Sequence, residues 1–282
     1  MTDERAVLTA VFQDTMKLCE EDEILRAQVA QNRANTVLYG AQDDLPLPEP
    51  NGAPCEIVVT KSKTLEAARL WHDAHPTDRI AVLNFASAVS PGGGVTHGSK
   101  AQEESLCRCS TLYPALNQRF LWNGYYLPNR AAKDVLHTDD CIFTPNVLVV
   151  KTDDDVPVRM DPVERFPVDV ITCAAPNLKR KPGSPFNAEG GKPVFLTADE
   201  QTALHEKRAK HILHVAAANG ADVLILGAFG CGAFYNDPYA VAKAYRSALA
   251  AYRGCFRRIE FAVYCRGFET ENYKAFRDTL TE

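Results

Sequence analysis

Two glutamates follow a run of three glycines at a spacing that could place a carboxyl group beside a bound anion. Gly92, Gly93 and Gly94 end an apolar segment, and Gln102-Glu103-Glu104 begins eight residues beyond Gly94. Adjacent glycines allow positive φ angles and close backbone approach, and such a turn can direct successive N–H groups at an anion. The pattern therefore predicts an anion-binding turn with carboxylates next to it.

A second glycine-rich turn supports the same chemistry. Residues 227–232 read Gly-Ala-Phe-Gly-Cys-Gly and follow the apolar run 223–226, and Asp237 and Pro238 suit a helix cap and first helical position. Ligands of open α/β sheets bind beyond the carboxyl ends of strands. Two turns at that edge could hold the two phosphates of one diphosphate from opposite sides.

The acidic pair has a structural alternative, because the helix dipole favours acidic residues in a first helical turn. That alternative is the commoner one for an isolated pair. A helix N-terminus favours the ionised form, whereas burial and neighbouring negative charge raise a carboxyl pKa. One of Glu103 and Glu104 could therefore be protonated beside a bound anion, as general acid catalysis of glycosidic cleavage requires.

Other nucleotide motifs fit less well. The glycine order in residues 227–232 differs from the dinucleotide fingerprint GxGxxG, and no GxxxxGK[ST] pattern occurs. These observations disfavour a kinase, an ATPase or a nicotinamide-dependent dehydrogenase. Cys107 and Cys109 with His97 have weak zinc-ligand spacing, so we expect neither a metal nor a cofactor.

The bulk composition restricts the partners and the compartment. The chain has 282 residues and a formal net charge of -5, so direct nucleic-acid binding is not expected. Nine cysteines, several in apolar runs, are typical of free thiols in a reducing compartment. No signal-like segment and no apolar run of about 18 residues occurs. We expect an intracellular, cytoplasmic protein (nuclear if eukaryotic) without membrane association.

Strands and helices alternate along most of the chain. The patterns predict strands at 55–60, 79–84, 141–143, 147–151, 168–174, 222–228 and 258–265, and helices at 64–74, 103–117, 198–219, 238–252 and 270–280. Residues 3 to about 38 have helical spacing, with Thr2 or Asp3 as a cap, and a proline-rich segment follows at 43–52. Two long loops are expected at 117–140 and 176–193. This order predicts an α/β sandwich around a largely parallel sheet, with a helical extension at 1–52 and a catalytic domain at 53–282.

The residues around the two turns resemble the microbial type of poly(ADP-ribose) glycohydrolase, a branch of the macrodomain superfamily. The family signature is a triple glycine, about seven residues, and Gln-Glu-Glu, which matches residues 92–94 and 102–104. Residues 84–88, 105–108, 112–116, 174–178 and 227–232 also look like family segments, so the resemblance covers nearly the whole chain. It implies a macrodomain-like three-layer α/β/α fold with a mixed, largely parallel sheet.

The resemblance also implies roles for individual residues. Glu104 would be the catalytic acid/base, Glu103 its partner and Gln102 the residue that holds their geometry. The implied ADP-ribose contacts are Asn84, Gly92, Gly93, Gly94, Val95, Gly230, Cys231, Gly232, Ala233, Phe234 and Asn236. The implied reaction is hydrolysis of the ribose–ribose O-glycosidic bonds of poly(ADP-ribose), which releases ADP-ribose.

Two alternative functions would use the same ADP-ribose-binding residues. One is a hydrolase that removes single ADP-ribose units from protein or nucleic acid, and the other is a macrodomain that binds ADP-ribose without cleaving it. The presence of Gln102-Glu103-Glu104 argues against a non-catalytic protein, which would not need an acidic group there. The basic run 179–181 could contact polymer phosphates, but it is typical of a solvated loop. Tyr125 and Tyr126 could stack on adenine or pack a long loop.

Overall fold

The computed structural model describes residues 4–47, 54–183 and 190–281. The suggested caps Thr2 and Asp3, residues 48–52 of the proline-rich segment and residues 184–189 of the second long loop lie outside this part. The α-helices are, in chain order, α1 (Glu4–Glu21), α2 (Glu23–Asn35), α3 (Thr64–Ala74), α4 (Gln102–Cys109), α5 (Leu112–Leu116), α6 (Arg119–Leu121), α7 (Leu127–Ala132), α8 (Ala198–Ala218), α9 (Pro238–Leu249) and α10 (Glu271–Leu280).

The strands form one seven-stranded mixed sheet. They are β1 (Val37–Tyr39), β2 (Glu56–Thr60), β3 (Ile80–Ala86), β4 (Cys141–Val149), β5 (Phe166–Ala174), β6 (Val223–Leu226) and β7 (Arg258–Ala262). Their spatial order is β1-β4-β5-β3-β6-β7-β2. The β1–β4 and β4–β5 pairs are antiparallel and the others are parallel.

The central strands are buried on both faces, as their continuous apolar sequences predict. In β3, Ala81 and Leu83 pack with α8, α9 and α10, whereas Ile80 and Val82 pack with α1, α3 and α4. This alternation follows from the two-residue period of a strand. The predicted three-layer α/β/α sandwich is confirmed, and it brings the carboxyl ends of β3, β5 and β6 to one edge.

The N-terminal region packs directly on this sandwich. Asp22 divides the segment of predicted helical spacing into two helices, since its carboxylate caps α2 by accepting the N–H groups of Ile24 and Leu25. The short strand β1, which the sequence pattern did not indicate, then adds an edge to the sheet. None of the helices within the described ranges is long and apolar enough to cross a bilayer.

The predicted helix 103–117 is wrong at its middle, where Ser110 and Thr111 leave the helix. Ser110 forms a bridge with Val149, and the Thr111 N–H donates to the carbonyl oxygen of Leu148 (3.0 Å). These contacts with β4 replace the helical hydrogen bonds. The two strands predicted at 141–143 and 147–151 are likewise one strand, β4, with an irregularity between Thr144 and Val147.

The predicted irregular loop 117–140 is also wrong over much of its length. It contains α6, a π-helical turn at Trp122–Tyr126, and α7. Tyr125 and Tyr126 are buried among apolar side chains. Their packing accounts for the aromatic residues of this segment and leaves neither ring at the cavity described below.

Candidate active site

The first glycine turn begins where β3 ends. Gly92 and Gly93 have φ angles of +67° and +56°, the left-handed region that favours glycine. A Cβ atom on Gly93 would lie 2.6 Å from the Oε1 atom of Glu104, which is closer than real Cβ contacts come. The turn therefore needs glycine because the carboxyl groups of α4 lie directly against its backbone.

Glu103 is buried beneath this turn and accepts three N–H groups. Its Oε2 atom accepts the Ser87 N–H (2.7 Å), and its Oε1 atom accepts those of Gly92 (3.2 Å) and the Asn84 side-chain amide (3.4 Å). Burial raises the pKa of Glu103 well above its usual value, and the negative charge of Glu104 raises it further, while the three N–H donors oppose these effects. Glu103 therefore retains its proton to higher pH than an exposed glutamate does.

Glu104 differs from Glu103 in having one carboxyl oxygen uncommitted. Its Oε1 atom accepts the Gly94 N–H at 2.8 Å. Its Oε2 atom is buried and bonds no described group, and the residue lines the large cavity at this edge of the sheet. A buried carboxyl oxygen normally has a hydrogen-bond partner, so this oxygen is the candidate for contact with a bound molecule.

Gln102 fixes the start of α4 against β3. Its Oε1 atom accepts the Phe85 N–H (2.9 Å), and its Nε2 atom donates to the Leu83 carbonyl (2.7 Å) and the Thr64 hydroxyl (3.1 Å). Both glutamates lie in the first helical turn, so these bonds determine where their carboxyl groups stand.

The second glycine turn follows β6 and has a different hydrogen-bond pattern. Gly230 has a φ angle of +78°, and the Cys231 N–H donates to the Ala228 carbonyl (3.1 Å). By contrast, four backbone N–H groups on this turn bond no other described group, namely those of Gly230, Gly232, Ala233 and Phe234. All four residues line the cavity. Unpaired N–H groups at a cavity wall suit an anionic ligand.

A buried polar network holds the second turn from behind. The Asn236 side-chain amide donates to the carbonyls of Pro176 (2.8 Å) and Gly230 (3.0 Å), and its Oδ1 atom lies 2.9 Å from Nε2 of His205. Because that oxygen is an acceptor, the network requires a proton on Nε2. Burial lowers the pKa of His205 to about 4, so the ring is neutral at pH 7.

The cavity between the two turns has a volume of about 670 Å³, within the usual range of small-ligand sites. Most of the site residues predicted from the sequence line this cavity, namely Gln102, Glu103, Glu104, Gly93, Gly94, Gly230, Gly232, Ala233 and Phe234. The remaining ones lie behind the wall or beside it: Asn84, Gly92, Val95, Cys231 and Asn236. Asn84 is fully buried and bonds Glu103 and Thr172, and Asn236 is held in the network behind the turn.

The cysteine and histidine side chains considered as metal ligands lie outside this site. Cys107 and Cys109 are buried, His97 is exposed, and no group of three metal-ligating side chains occurs among residues 4–47, 54–183 and 190–281. Lys179, in the run typical of a solvated loop, does line the cavity. The sequence around Lys179 does not distinguish it from Arg180 and Lys181. Its position depends on the packing of its loop against the second turn, which is more than 50 residues away in the sequence.

The chain is similar in sequence and in fold to proteins of known structure. Residues 9–152 match the family model of the microbial-type PARG catalytic domain. A structure of poly(ADP-ribose) glycohydrolase (PARG) from Thermomonospora curvata is 31% identical with a TM-score of 0.81, and the match covers 98% of this chain and 100% of that one. A structure from the same organism with the inhibitor ADP-HPD is 30% identical with a TM-score of 0.78, covering 97% and 99% of the two chains.

A third related structure is PARG from Deinococcus radiodurans in complex with ADP-ribose. It is 32% identical with a TM-score of 0.73, and the match covers 90% of this chain and 96% of that chain. Among the curated proteins compared, none matches the sequence.

Proposed function

Because the chain belongs to the microbial-type poly(ADP-ribose) glycohydrolase family, whose members hydrolyse poly(ADP-ribose), we propose that Glu104 is its general acid/base. The chain is a glycosidase that cleaves poly(ADP-ribose) and releases ADP-ribose. The observation that carries the assignment of Glu104 is its unpaired, buried Oε2 atom at the cavity wall, with Oε1 fixed by the Gly94 N–H.

The reaction needs one proton at the leaving oxygen and one water. In its protonated form, Glu104 donates a proton from Oε2 to the ribose oxygen that leaves, as the glycosidic C–O bond breaks. The sugar develops oxocarbenium character, and water adds to its anomeric carbon while giving a proton to the ionised Glu104. The acid is thereby restored, and the hydroxyl group of one ribose and the hemiacetal of the other are the products.

Glu103 and Gln102 act on this step indirectly. Glu103 binds the first turn through three N–H donors, and the neighbouring charge of Glu104 adds to burial in raising the pKa of Glu103. Gln102 holds α4 in register with β3. We assign both to positioning and electrostatics, because neither has an unpaired carboxyl or amide atom at the cavity.

The diphosphate of ADP-ribose fits the second turn better than the first. The N–H groups of Gly232, Ala233 and Phe234 bond no other described group, whereas those of Gly92 and Gly94 bond the glutamates. Phosphate held at the second turn stands across the cavity from Glu104 and can offset positive charge on the ribose. This arrangement also explains how a chain of net charge -5 can bind an anion.

Glu104→Gln is the direct test, with purified polymer as substrate. We expect the rate of ADP-ribose release to fall by about 10²–10⁴-fold, the usual contribution of general acid–base catalysis. The affinity for ADP-ribose, measured by calorimetry, should stay within severalfold of the parent. The matched control is Glu23→Gln, an exposed glutamate in the first turn of α2, which tests the helix-dipole role alone.

Two substrates, polymer and singly modified protein, and a binding measurement separate the alternatives. Release from polymer with wild-type protein and loss with Glu104→Gln support the proposal. Release only from singly modified protein would favour a mono-ADP-ribosyl hydrolase, and binding without release would favour a reader. Full activity of Glu104→Gln on either substrate would refute the role of Glu104 as the general acid/base.

We further propose an intracellular location, on the basis of the thiols. All nine cysteines fall within the described ranges and are free, and four of them are fully buried: Cys107, Cys109, Cys141 and Cys173. Free thiols in this number are typical of a reducing compartment. Alkylation of the protein in fresh lysate should modify all nine cysteines after denaturation, and a disulfide recovered from cells would contradict the proposal.

A further inference from the structure

The basic run that follows β5 contains three cations, and the structure distinguishes one of them. Lys179 is half-buried and lines the cavity, whereas Arg180 and Lys181 are exposed and do not. The three side chains have the same charge and adjacent positions. A difference in function among them must therefore come from where the loop places each one.

Backbone contacts hold Lys179 against the second glycine turn. The Leu178 N–H donates to the Phe234 carbonyl (2.9 Å), and the Lys179 N–H donates to the Oδ1 atom of Asn177 (3.2 Å). Asn177 is itself buried, and its own N–H donates to the Val135 carbonyl (2.7 Å). The lysine thus starts from a fixed backbone position next to the turn.

The ammonium group of Lys179 lies over the ring of Phe234, 5.5 Å from its centroid, and forms no ion pair with any described carboxylate. The other cations at the cavity wall already have oxygen partners. Lys63 donates to the Asp153 carbonyl, Lys100 pairs with Glu4, Arg266 pairs with Asp155, and Arg108 donates to the Ser99 carbonyl. Within the described ranges, Lys179 is the cation at the cavity wall whose side chain has no oxygen partner.

We propose that the Lys179 ammonium binds the diphosphate of the ADP-ribose unit held at the second glycine turn. The turn offers N–H dipoles from Gly232, Ala233 and Phe234 but no charge, and a diphosphate carries two negative charges near neutral pH. The Lys179 ammonium group lies over the ring of Phe234, a residue of this turn, and supplies the positive charge that the turn lacks. This inference rests on the proposed function and adds a phosphate contact to it.

The test is the affinity for ADP-ribose, measured by calorimetry on the full chain, with adenosine as the phosphate-free probe. For Lys179→Gln we expect ADP-ribose to bind about tenfold more weakly at low salt, the usual scale of a hydrogen bond to a charged group. The loss should shrink as NaCl approaches about 1 M, where charges are screened within about 3 Å. Lys179→Arg should retain most of the affinity, and adenosine should bind both variants like the parent.

Lys181→Gln is the matched control, because it removes the same charge two residues away on the exposed side of the loop. If Lys179→Gln binds ADP-ribose like the parent, or if Lys181→Gln loses as much, the inference is overturned. An equal loss of adenosine binding would also overturn it, since packing on Phe234 would then explain the effect. Failure of the proposed function gives a different result: the parent itself would not bind ADP-ribose or cleave polymer. Thermal unfolding of each variant checks that it folds.

Discussion

The two turns are both rich in glycine and line the same cavity, yet their backbone N–H groups are used in opposite ways. In the first turn every N–H is bonded within the protein: Gly92 to Glu103, Gly93 to the Ser90 carbonyl, Gly94 to Glu104, and Val95 to the Gly92 carbonyl. In the second turn those of Gly230, Gly232, Ala233 and Phe234 bond no described group. Glycine content alone therefore does not tell what a turn binds.

The difference has a physical origin in the residues that follow each turn. After the first turn, α4 begins with two glutamates whose carboxyl oxygens reach back to the turn and use its donors. After the second, Asp237 precedes α9 as its N-cap, and its carboxylate accepts the N–H groups of Tyr239 and Ala240 instead. Such a cap contributes about 1 kcal/mol and leaves the turn itself open. We therefore expect the first turn to control catalysis and the second to control binding.

The largest expected effect comes from breaking the first turn with Gly93→Ala. The new Cβ would fall 2.6 Å from Glu104 Oε1 at a φ of +56°, so the turn or the carboxyl group must move. Displacement of about 1 Å at a reacting group can cost about 10²-fold in rate. We expect kcat on polymer to fall at least that far, with ADP-ribose affinity changed only severalfold. An equal loss in both quantities would show that the first turn also binds the diphosphate.

A smaller and complementary effect is expected from Gly230→Ala in the second turn. Its Cβ would lie 2.6 Å from the Asn236 amide nitrogen at a φ of +78°, which strains the turn and disturbs its N–H groups. Backbone strain of this kind costs about 1–3 kcal/mol, so ADP-ribose should bind about tenfold more weakly. The value of kcat at saturating polymer should stay within severalfold of the parent. A fall in kcat with unchanged affinity would reverse our assignment of the two turns.

The smallest effect on activity at neutral pH is expected from His205→Gln, which tests the support behind the second turn. The pKa of His205 is about 4, below its usual value of 6.5, so between these values the unfolded chain binds a proton that the folded chain does not. Stability is therefore complete above pH 6.5 and falls as the pH approaches 4, by roughly 3 kcal/mol in total from this group.

Urea unfolding at a series of pH values measures this contribution. Glutamine cannot be protonated, so the variant should lose less stability than the parent between pH 7 and pH 4, while its ADP-ribose affinity at pH 7 changes little. Parallel stability curves for the two proteins would mean that His205 titrates normally. That result would contradict the burial of His205 in its network with Asn236.

Several parts of the site could be predicted from the sequence because they are local. The spacing of Gly94 and Gln102 and the helix that starts there place Glu103 and Glu104 in one helical turn beside the glycines. The continuous apolar run at the start of β3 predicts a strand buried on both faces. Asn84 is buried and donates to Thr172 and Glu103, and its contact with ADP-ribose stays a prediction. Its direction depends on the register between β3 and β5, which no local pattern contains.

The sequence patterns by themselves determined the α/β layers and the two glycine turns, because hydrophobic period and glycine position are properties of neighbouring residues. The mixed sheet was implied only by the resemblance to the family. The tertiary structure decided which N–H groups stay open, which basic residue reaches the cavity, and where the chain leaves α4 to pair with β4. Those outcomes depend on hydrogen bonds between residues far apart in sequence, such as His205 with Asn236 and Leu178 with Phe234. Such bonds form only once the layers have packed and fixed the distances between them.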